Sequence, residues 1–284
     1  MTIVRIPPGR YDLPGPVDNP IIVKEMGLRG LRSALAHPLT RGLSIDDPRT
    51  TELRLRIVEE NRFLQRIYED WYRLIRDRIP AGSGSVIELG SGAGFFGRAV
   101  PEAIRTEVFP CANAHVLADA RRLPFVSGSL KAIAMTDVFH HIPDVEAFLR
   151  EAVRCLRPDG RILLVEPWVS AWSRLVYGHL HHEPFLPGAA KWEIPPAGPL
   201  SGANGALPWM VFVRDRHRFL ATFPELAIEE VRPMMPFRYL VSGGVSMRPL
   251  MPLFTYAAWD RLESALSAWM EQLAMFAFFN VKRL

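Results

Sequence analysis

Cysteine is scarce in this chain, with only Cys111 and Cys155 among 284 residues. Two thiols cannot build a disulfide framework, so a reducing compartment is the simpler expectation. Long apolar runs are missing too. No stretch reaches 18 apolar residues, which excludes a transmembrane helix. The first twenty residues are rich in Pro and Gly (Pro7, Pro8, Gly9, Pro14, Gly15, Pro16) and lack the apolar core of a signal peptide. A cytoplasmic location is expected on these grounds. Charge of one sign is not concentrated either. The net charge is +4, Arg is scattered, and no run of five like charges occurs, which argues against a nucleic-acid surface. There is no internal repeat and no low-complexity tract. What the chain does have is a globular composition, 49% hydrophobic and 23% charged, and length enough for one large, elaborated domain.

Residues 1–45 show little periodicity. Pro48 can open a helix, and Leu53, Ile57, Leu64, Ile67, Trp71 and Ile75 then recur at helical spacing up to Pro80. Residues 81–85 (Ala-Gly-Ser-Gly-Ser) read as a linker, so residues 1–80 are taken as an N-terminal arm and helix, and residues 81–284 as the main domain. Strands and helices alternate from there. Ser85–Leu89 reads as a buried strand, Gly90–Gly94 as a glycine loop and Phe95–Ile104 as a helix. Glu107–Phe109 and His115–Leu117 are short strand candidates, and Ala132–Thr136 is an apolar strand. Val145–Leu156 is amphipathic, Arg157–Gly160 a turn, and Arg161–Val165 a third apolar strand. Uninterrupted apolar strands between helices imply a doubly wound α/β fold with a mostly parallel sheet. Beyond Pro167 the alternation stops. A stretch rich in Trp, His, Pro and Gly, about 168–212, reads as an inserted cap. Helical patterns follow at Val213–Phe223 and Trp259–Leu273, with strands at Ala227–Val231 and Met275–Val281.

The run Val86-Ile-Glu-Leu-Gly-Ser-Gly-Ala-Gly-Phe-Phe-Gly97 carries the main chemical signal. Glycines directly after a strand let the backbone turn sharply and approach a ligand closely. Nucleotide enzymes share such loops, but Glu88 does not suit them. A carboxylate there would repel a pyrophosphate, whereas it favours a cationic sulfonium ligand with a free amino group.

Four segments together resemble class I S-adenosylmethionine-dependent methyltransferases. They are Ile87–Gly94, Asp119–Phe125 (Asp-Ala-Arg-Arg-Leu-Pro-Phe), Thr136–Pro143 (Thr-Asp-Val-Phe-His-His-Ile-Pro) and Leu156–Glu166. The style is similar to the group containing ubiquinone- and menaquinone-biosynthesis enzymes. The resemblance implies a seven-stranded Rossmann-like sheet and S-adenosyl-L-methionine as cofactor. Carried over by position, Glu88, Gly90, Ser91, Gly92 and Gly94 hold the methionine part. Asp119 receives the adenine amino group, with Ala120 and Leu123 beside the ring, and Thr136 lines the pocket floor together with Asp137. The family also implies an acid at the end of strand 2 for the ribose hydroxyls. Val108–Asn113 contains none, which leaves Asn113, or Glu107 if the register is shifted. Phe109 to Val116 is too short for a crossover helix, so an extended connection is expected.

Methyl transfer is an in-line displacement in which the protein aligns the reactants and sometimes removes a proton. His140, His141 and Asp137 follow strand 4 and are the catalytic candidates, one histidine serving as general base. The alternative for both histidines is that they shape the pocket or cap a turn. Glu166 and Trp168 follow strand 5 on the expected acceptor side. The run His179-Leu-His-His-Glu183 offers His181 and His182 for acceptor binding. It is not read as a metal site, since adjacent histidines rarely converge on one ion. The apolar, aromatic 168–209 stretch suits a small-molecule or lipid-linked acceptor, and Gly243–Arg248 reads as a flexible basic loop. Three other readings compete. A nucleic-acid methyltransferase would show a basic face and a different motif after strand 4. A non-catalytic cofactor-binding partner subunit would fit the missing ribose acid. A nicotinamide oxidoreductase would need that same acid.

Overall fold

In the computed structural model, residues 35–39, 43, 46–92, 94–181, 183–194, 198 and 202–284 are described. Residues 36–284 form one unit; residues 1–35 group apart, and of these only Leu35 is described.

Among the described residues, two helices precede the sheet, α1 (Pro48–Glu60) and α2 (Arg62–Arg76), where the periodicity predicts one. Asn61 is the cause. Its backbone leaves helical geometry (φ −95°, ψ 89°), its side-chain oxygen accepts from Leu64 N at 3.0 Å, and its Nδ2 donates to the Ser242 carbonyl at 2.8 Å. One residue thus ends α1 and caps α2. At the start of α1, the Asp47 side chain accepts from Arg49 N and Pro48 occupies the first turn. Along α2, Phe63, Leu64, Ile67, Tyr68, Trp71, Tyr72 and Ile75 are buried.

Seven strands follow: β1 (Ser85–Leu89), β2 (Ile104–Glu107), β3 (Val116–Leu117), β4 (Leu130–Thr136), β5 (Leu156–Pro167), β6 (Leu226–Met234) and β7 (Phe276–Arg283). Their order across the sheet is β3-β2-β1-β4-β5-β7-β6. The first five are mutually parallel, and β7 runs antiparallel to both neighbours. Helix α3 (Phe96–Ala99) lies between β1 and β2, α4 (Val145–Cys155) between β4 and β5, and α5 (Ala171–His179) after β5. Further along come α6 (Leu207–Trp209), α7 (Arg216–Thr222), α8 (Arg238–Ser242), α9 (Tyr256–Ala265) and α10 (Met270–Leu273).

The core explains why the central strands look uniformly apolar. On β4, Ile133 and Met135 join the cluster under α4, while Ala132 and Ala134 face the cluster under α2. On β7, Ala277, Phe279 and Val281 take the first side, and Phe276 and Phe278 the second. Strand side chains alternate between faces, and both faces here are covered, so every position is selected for burial. This is the doubly wound, mostly parallel seven-stranded architecture that the sequence implies.

Several local expectations are corrected. The helix expected over 95–104 is only the four residues of α3; Val100 turns the chain out of it before Pro101, and Ile104 already belongs to β2. Strand β2 therefore ends at Glu107 and not at Phe109. No helix links β2 to β3, as the short connection requires. The turn expected at Arg157–Gly160 is absorbed into β5 as an irregularity in its pairing with β4, with Asp159 left-handed at φ 64°. The helix expected at 259–273 is broken into α9, a 3₁₀ turn over Ser267–Trp269, and α10. Its apolar stripe is not the packed face: Leu262 and Trp269 are exposed, and the buried residue is Glu263. Glu263 accepts from Phe237 N, Arg238 N and Arg238 Nε, so a buried ion pair anchors α9 to α8.

Candidate functional site

In a parallel sheet every strand ends on the same side, and loops there converge on a common crevice. Here the segments after β1, β2 and β4 line one cavity of about 620 Å³. Tyr68 and Tyr72, four residues apart on one face of α2, wall it from the N-terminal side. Residues Val176, Tyr177, Leu180, His181 and Glu183, with Tyr239 and Val245–Met247, close the other side.

At one end lies the glycine loop. Gly90 has φ 68°, and a Cβ there would meet Val138 Cγ2 at 2.5 Å, so only glycine fits the turn. Glu88 is buried at the end of β1, and among the described residues its Oε2 has no hydrogen-bond partner. Burial pushes its carboxyl up to about 8, against the Arg105 charge and with help from Glu107. A buried acceptor without a donor is costly unless a ligand supplies one. Next to it, Glu107 Oε1 accepts from Gly92 N at 2.7 Å and Oε2 from Val108 N at 3.1 Å. Burial raises the Glu107 pKa while these two bonds oppose the shift. Strand β2 therefore does end in an acid, and it lines the cavity. Asn113 instead donates to the Gly92 and Gly94 carbonyls. Gly90, Ser91, Gly92, Gly94, Asp119, Ala120 and Thr136 all border the same cavity. Asp119 is chelated by Arg121, which holds its carboxyl below the usual range. Leu123 sits elsewhere: it is buried in the core under α4, outside the cavity wall.

A second, polar cluster is built around Glu166. This carboxylate is fully buried. Its Oε1 accepts from Val138 N at 2.8 Å and Phe139 N at 2.7 Å, and its Oε2 faces His140 Nδ1 at 2.7 Å. Glu166 therefore anchors the loop after β4 rather than meeting a substrate. Trp168 is likewise structural, packed in the core with Nε1 donating to the Glu271 carbonyl. His140 is buried, outside the cavity wall, with Nε2 3.4 Å from Glu183 Oε2. Burial alone would lower its pKa, but hydrogen bonds to Glu166 and Glu183 override that and hold it well above the ordinary value. Both ring nitrogens face carboxylates, so His140 has no lone pair for a substrate proton. That is the physical reason it is not the general base.

His141 differs. Its Nδ1 is 3.1 Å from the Gly202 carbonyl, which can only accept, so the proton sits on Nδ1 and Nε2 keeps its lone pair. Nε2 is 3.9 Å from Glu183 Oε1, and the ring borders the cavity. Burial lowers its pKa to about 4, aided by His140, so it is unprotonated at neutral pH. Asp137 is left-handed at φ 61°, a conformation that is strained for a residue with a side chain and is concentrated at functional sites. Burial raises its pKa to about 6, against the charge of His140. His181 also borders the cavity, edge-on to Tyr177. His182 lies outside the described residues. His179 turns back to the Leu175 carbonyl, and Arg248 lies outside the wall although Val245–Met247 contribute to it.

Sequence reasoning thus brought most of the wall together but missed parts of it. Glu183 stood in the histidine run without a role, and Glu107 was obscured by the register of β2. Tyr68 and Tyr72 read only as helix positions, although their i, i+4 spacing beside Trp71 was a usable signal.

Residues 87–164 match the family described as a methyltransferase domain. No curated protein matches the chain. Among solved structures, it is similar to a geranyl diphosphate methyltransferase bound to GPP and sinefungin, at 14% identity and TM-score 0.47, covering 81% of this chain and 82% of that one. It is similar at 11% identity to the geranyl diphosphate C-methyltransferase of Streptomyces coelicolor A3(2), with TM-score 0.45 and 78% of each chain covered. A third is a putative methyltransferase from Haloferax volcanii in complex with the Trm112 activator, at 15% identity and TM-score 0.49, covering 84% of this chain and 97% of that one. The sheet order with its antiparallel β7 and the glycine loop after β1 agree with a Rossmann-like methyltransferase fold, and it is the stretch 87–164 that matches the methyltransferase domain family.

Proposed function

We propose that this protein methylates a small-molecule or lipid-linked acceptor held between Tyr177, Tyr239 and the His141–Glu183 end of the cavity. The observation that carries this reading is the pairing, within one cavity, of a buried, unpartnered carboxylate oxygen on Glu88 with an unprotonated imidazole on His141.

The glycine-loop end fits S-adenosylmethionine. Glu88 offers an acceptor for the cationic amino acid part, Glu107 an acid for the ribose, and Asp119 with Ala120 a place for the adenine. Held there, the cofactor would supply the methyl carbon to the acceptor atom and, as leaving group, keep the electron pair of its carbon–sulfur bond. The chain's own residues align the acceptor atom with that carbon and exclude water. An acceptor proton would pass to the His141–Glu183 end, where the ring that borders the cavity keeps its Nε2 lone pair beside Glu183.

The wall's charge narrows the acceptor. At the acceptor end Asp137 and Glu183 contribute carboxyl groups, against the guanidinium group of Arg54. A polyanion would meet repulsion there, which favours a neutral or cationic acceptor with apolar bulk over nucleic acid. The non-catalytic reading drew its support from the missing ribose acid, and Glu107 removes that support.

Calorimetric titration with S-adenosylmethionine, on wild type, Glu88→Ala and Asp119→Ala, tests the reading. Saturable binding lost in both variants supports it and justifies screening acceptors by mass. No binding to wild type sinks it.

A further inference from the structure

His140, His141 and Glu183 are arranged as metal ligands are. Each histidine has its Nδ1 engaged by an acceptor, Glu166 Oε2 at 2.7 Å for His140 and the Gly202 carbonyl at 3.1 Å for His141. A partner on the far nitrogen is what fixes ring orientation in metal-binding histidines, and a carboxylate in that role also raises ligand basicity. Both Nε2 atoms are thereby aimed at one carboxylate, His140 at 3.4 Å from Glu183 Oε2 and His141 at 3.9 Å from Glu183 Oε1. One ligand atom from each of the three lies within 4.8 Å of the others.

The spacing matches an ion. Two ligands each about 2.1 Å from a tetrahedral centre stand about 3.4 Å apart. The His140 pair already has that separation, and the His141 pair needs a movement of about 0.5 Å, well within side-chain adjustment. Adjacent histidines converge here because the 3₁₀ turn over Phe139–His141 brings their rings to a centroid distance of 4.2 Å.

We propose that His140, His141 and Glu183 bind a divalent first-row transition metal with one position open to the cavity, the ion displacing the proton that His140 Nε2 otherwise holds against Glu183. Two imidazoles and a carboxylate suit zinc, cobalt or iron(II) better than magnesium, which prefers oxygen ligands. His141 and Glu183 line the cavity while His140 lies behind them, so the open position faces the acceptor space. With the ion bound, the His141 Nε2 lone pair is coordinated and no longer serves as the base; an acceptor hydroxyl or amine on the ion would instead lose its proton more readily, as metal-bound water does. This last role rests on the proposed methyl transfer; the ion site itself does not.

The test is cobalt(II) titration of the full chain, followed by visible ligand-field absorption. Wild type should bind one equivalent saturably, zinc should displace it, and excess magnesium should not. Glu183→Gln and His141→Asn should each weaken binding at least about tenfold, while His217→Gln, an exposed histidine, leaves it unchanged. Circular dichroism and thermal melts establish that the variants are folded, and wild-type competition by zinc needs no variant at all. No saturable band, or binding that survives both substitutions, overturns the site. S-adenosylmethionine calorimetry on the same sample separates the two readings: cofactor binding without cobalt binding sinks only the metal, and the reverse sinks only the methyl transfer.

Discussion

His140 Nδ1 and Glu166 Oε2 lie 2.7 Å apart, with neither side chain reaching solvent. A buried charge pair loses more from removal of one member than the intact pair contributes, because the other charge stays stranded. Glu166→Gln should therefore destabilise the protein by about 3 kcal/mol, read from urea unfolding. The loss should depend on pH. His140 is held above its ordinary value in the fold, so its contribution is complete below about pH 6.5 and fades as pH rises through the folded value. Asp137, Glu183 and His141 also face this ring and set that upper limit. The gap between wild type and variant should shrink as pH rises well above about 6.5. A gap independent of pH would mean that the pair is not ionised.

Glu88 predicts the opposite sign. Its carboxyl is pushed up to about 8 from 4.5, so folding becomes less favourable as pH rises between those values and the cost is complete above the upper one. Glu88→Gln should stabilise the ligand-free protein above pH 8 by on the order of 5 kcal/mol and change little near pH 4. The same variant should bind S-adenosylmethionine more weakly. Equal melting temperatures at alkaline pH would refute the buried-acid account.

Much of this end of the molecule was legible in the sequence because its constraints are local. A strand, three glycines and an acid within ten residues carry their own geometry, as Gly90 shows. The polar end was harder, because it depends on contacts between distant segments. Glu166 and Trp168 occupy acceptor-side positions in the chain, yet their side chains turn to Phe139 N and the Glu271 carbonyl. Nothing in strand periodicity distinguishes a carboxylate that meets a ligand from one that holds a loop. Asn61 splits one expected helix because its side chain finds Ser242, a partner 181 residues away. Glu107 was misplaced by an overlong α3, a boundary error that shifted the end of β2.

Gly94 and Tyr72 should be energetically coupled. A Cβ at Gly94 would lie 2.5 Å from the Tyr72 hydroxyl, which also accepts from Phe95 N at 3.3 Å. Gly94→Ala alone should cost 1–3 kcal/mol, as an order-of-magnitude overpacking figure. Adding Tyr72→Phe removes the clashing oxygen and should recover about 1 kcal/mol or more. A double-mutant cycle by thermal unfolding measures this, and simple additivity would show that the loop relaxes away from α2.

For His141, the prediction concerns turnover. With an acceptor identified, His141→Asn should lower kcat by roughly 10²–10⁴-fold and leave the S-adenosylmethionine Kd nearly unchanged. Because the ring already titrates near 4, it should contribute no rise in rate between about pH 6 and about pH 8. A rise there that disappears in the variant would assign an ordinary imidazole and contradict the burial described above.

Glu107 bridges two amides of neighbouring segments, Gly92 N after β1 and Val108 N after β2. Each carboxylate oxygen retains a second lone pair. The bend that receives the ligand is therefore fixed during folding, while the acid that holds it can still accept from an arriving hydroxyl. Ordering a backbone residue costs roughly 1–2 kcal/mol, and here that cost is met before any encounter. Capture at this end should be quick and governed by diffusion past the tyrosines of α2, with no slow rearrangement phase in stopped-flow traces.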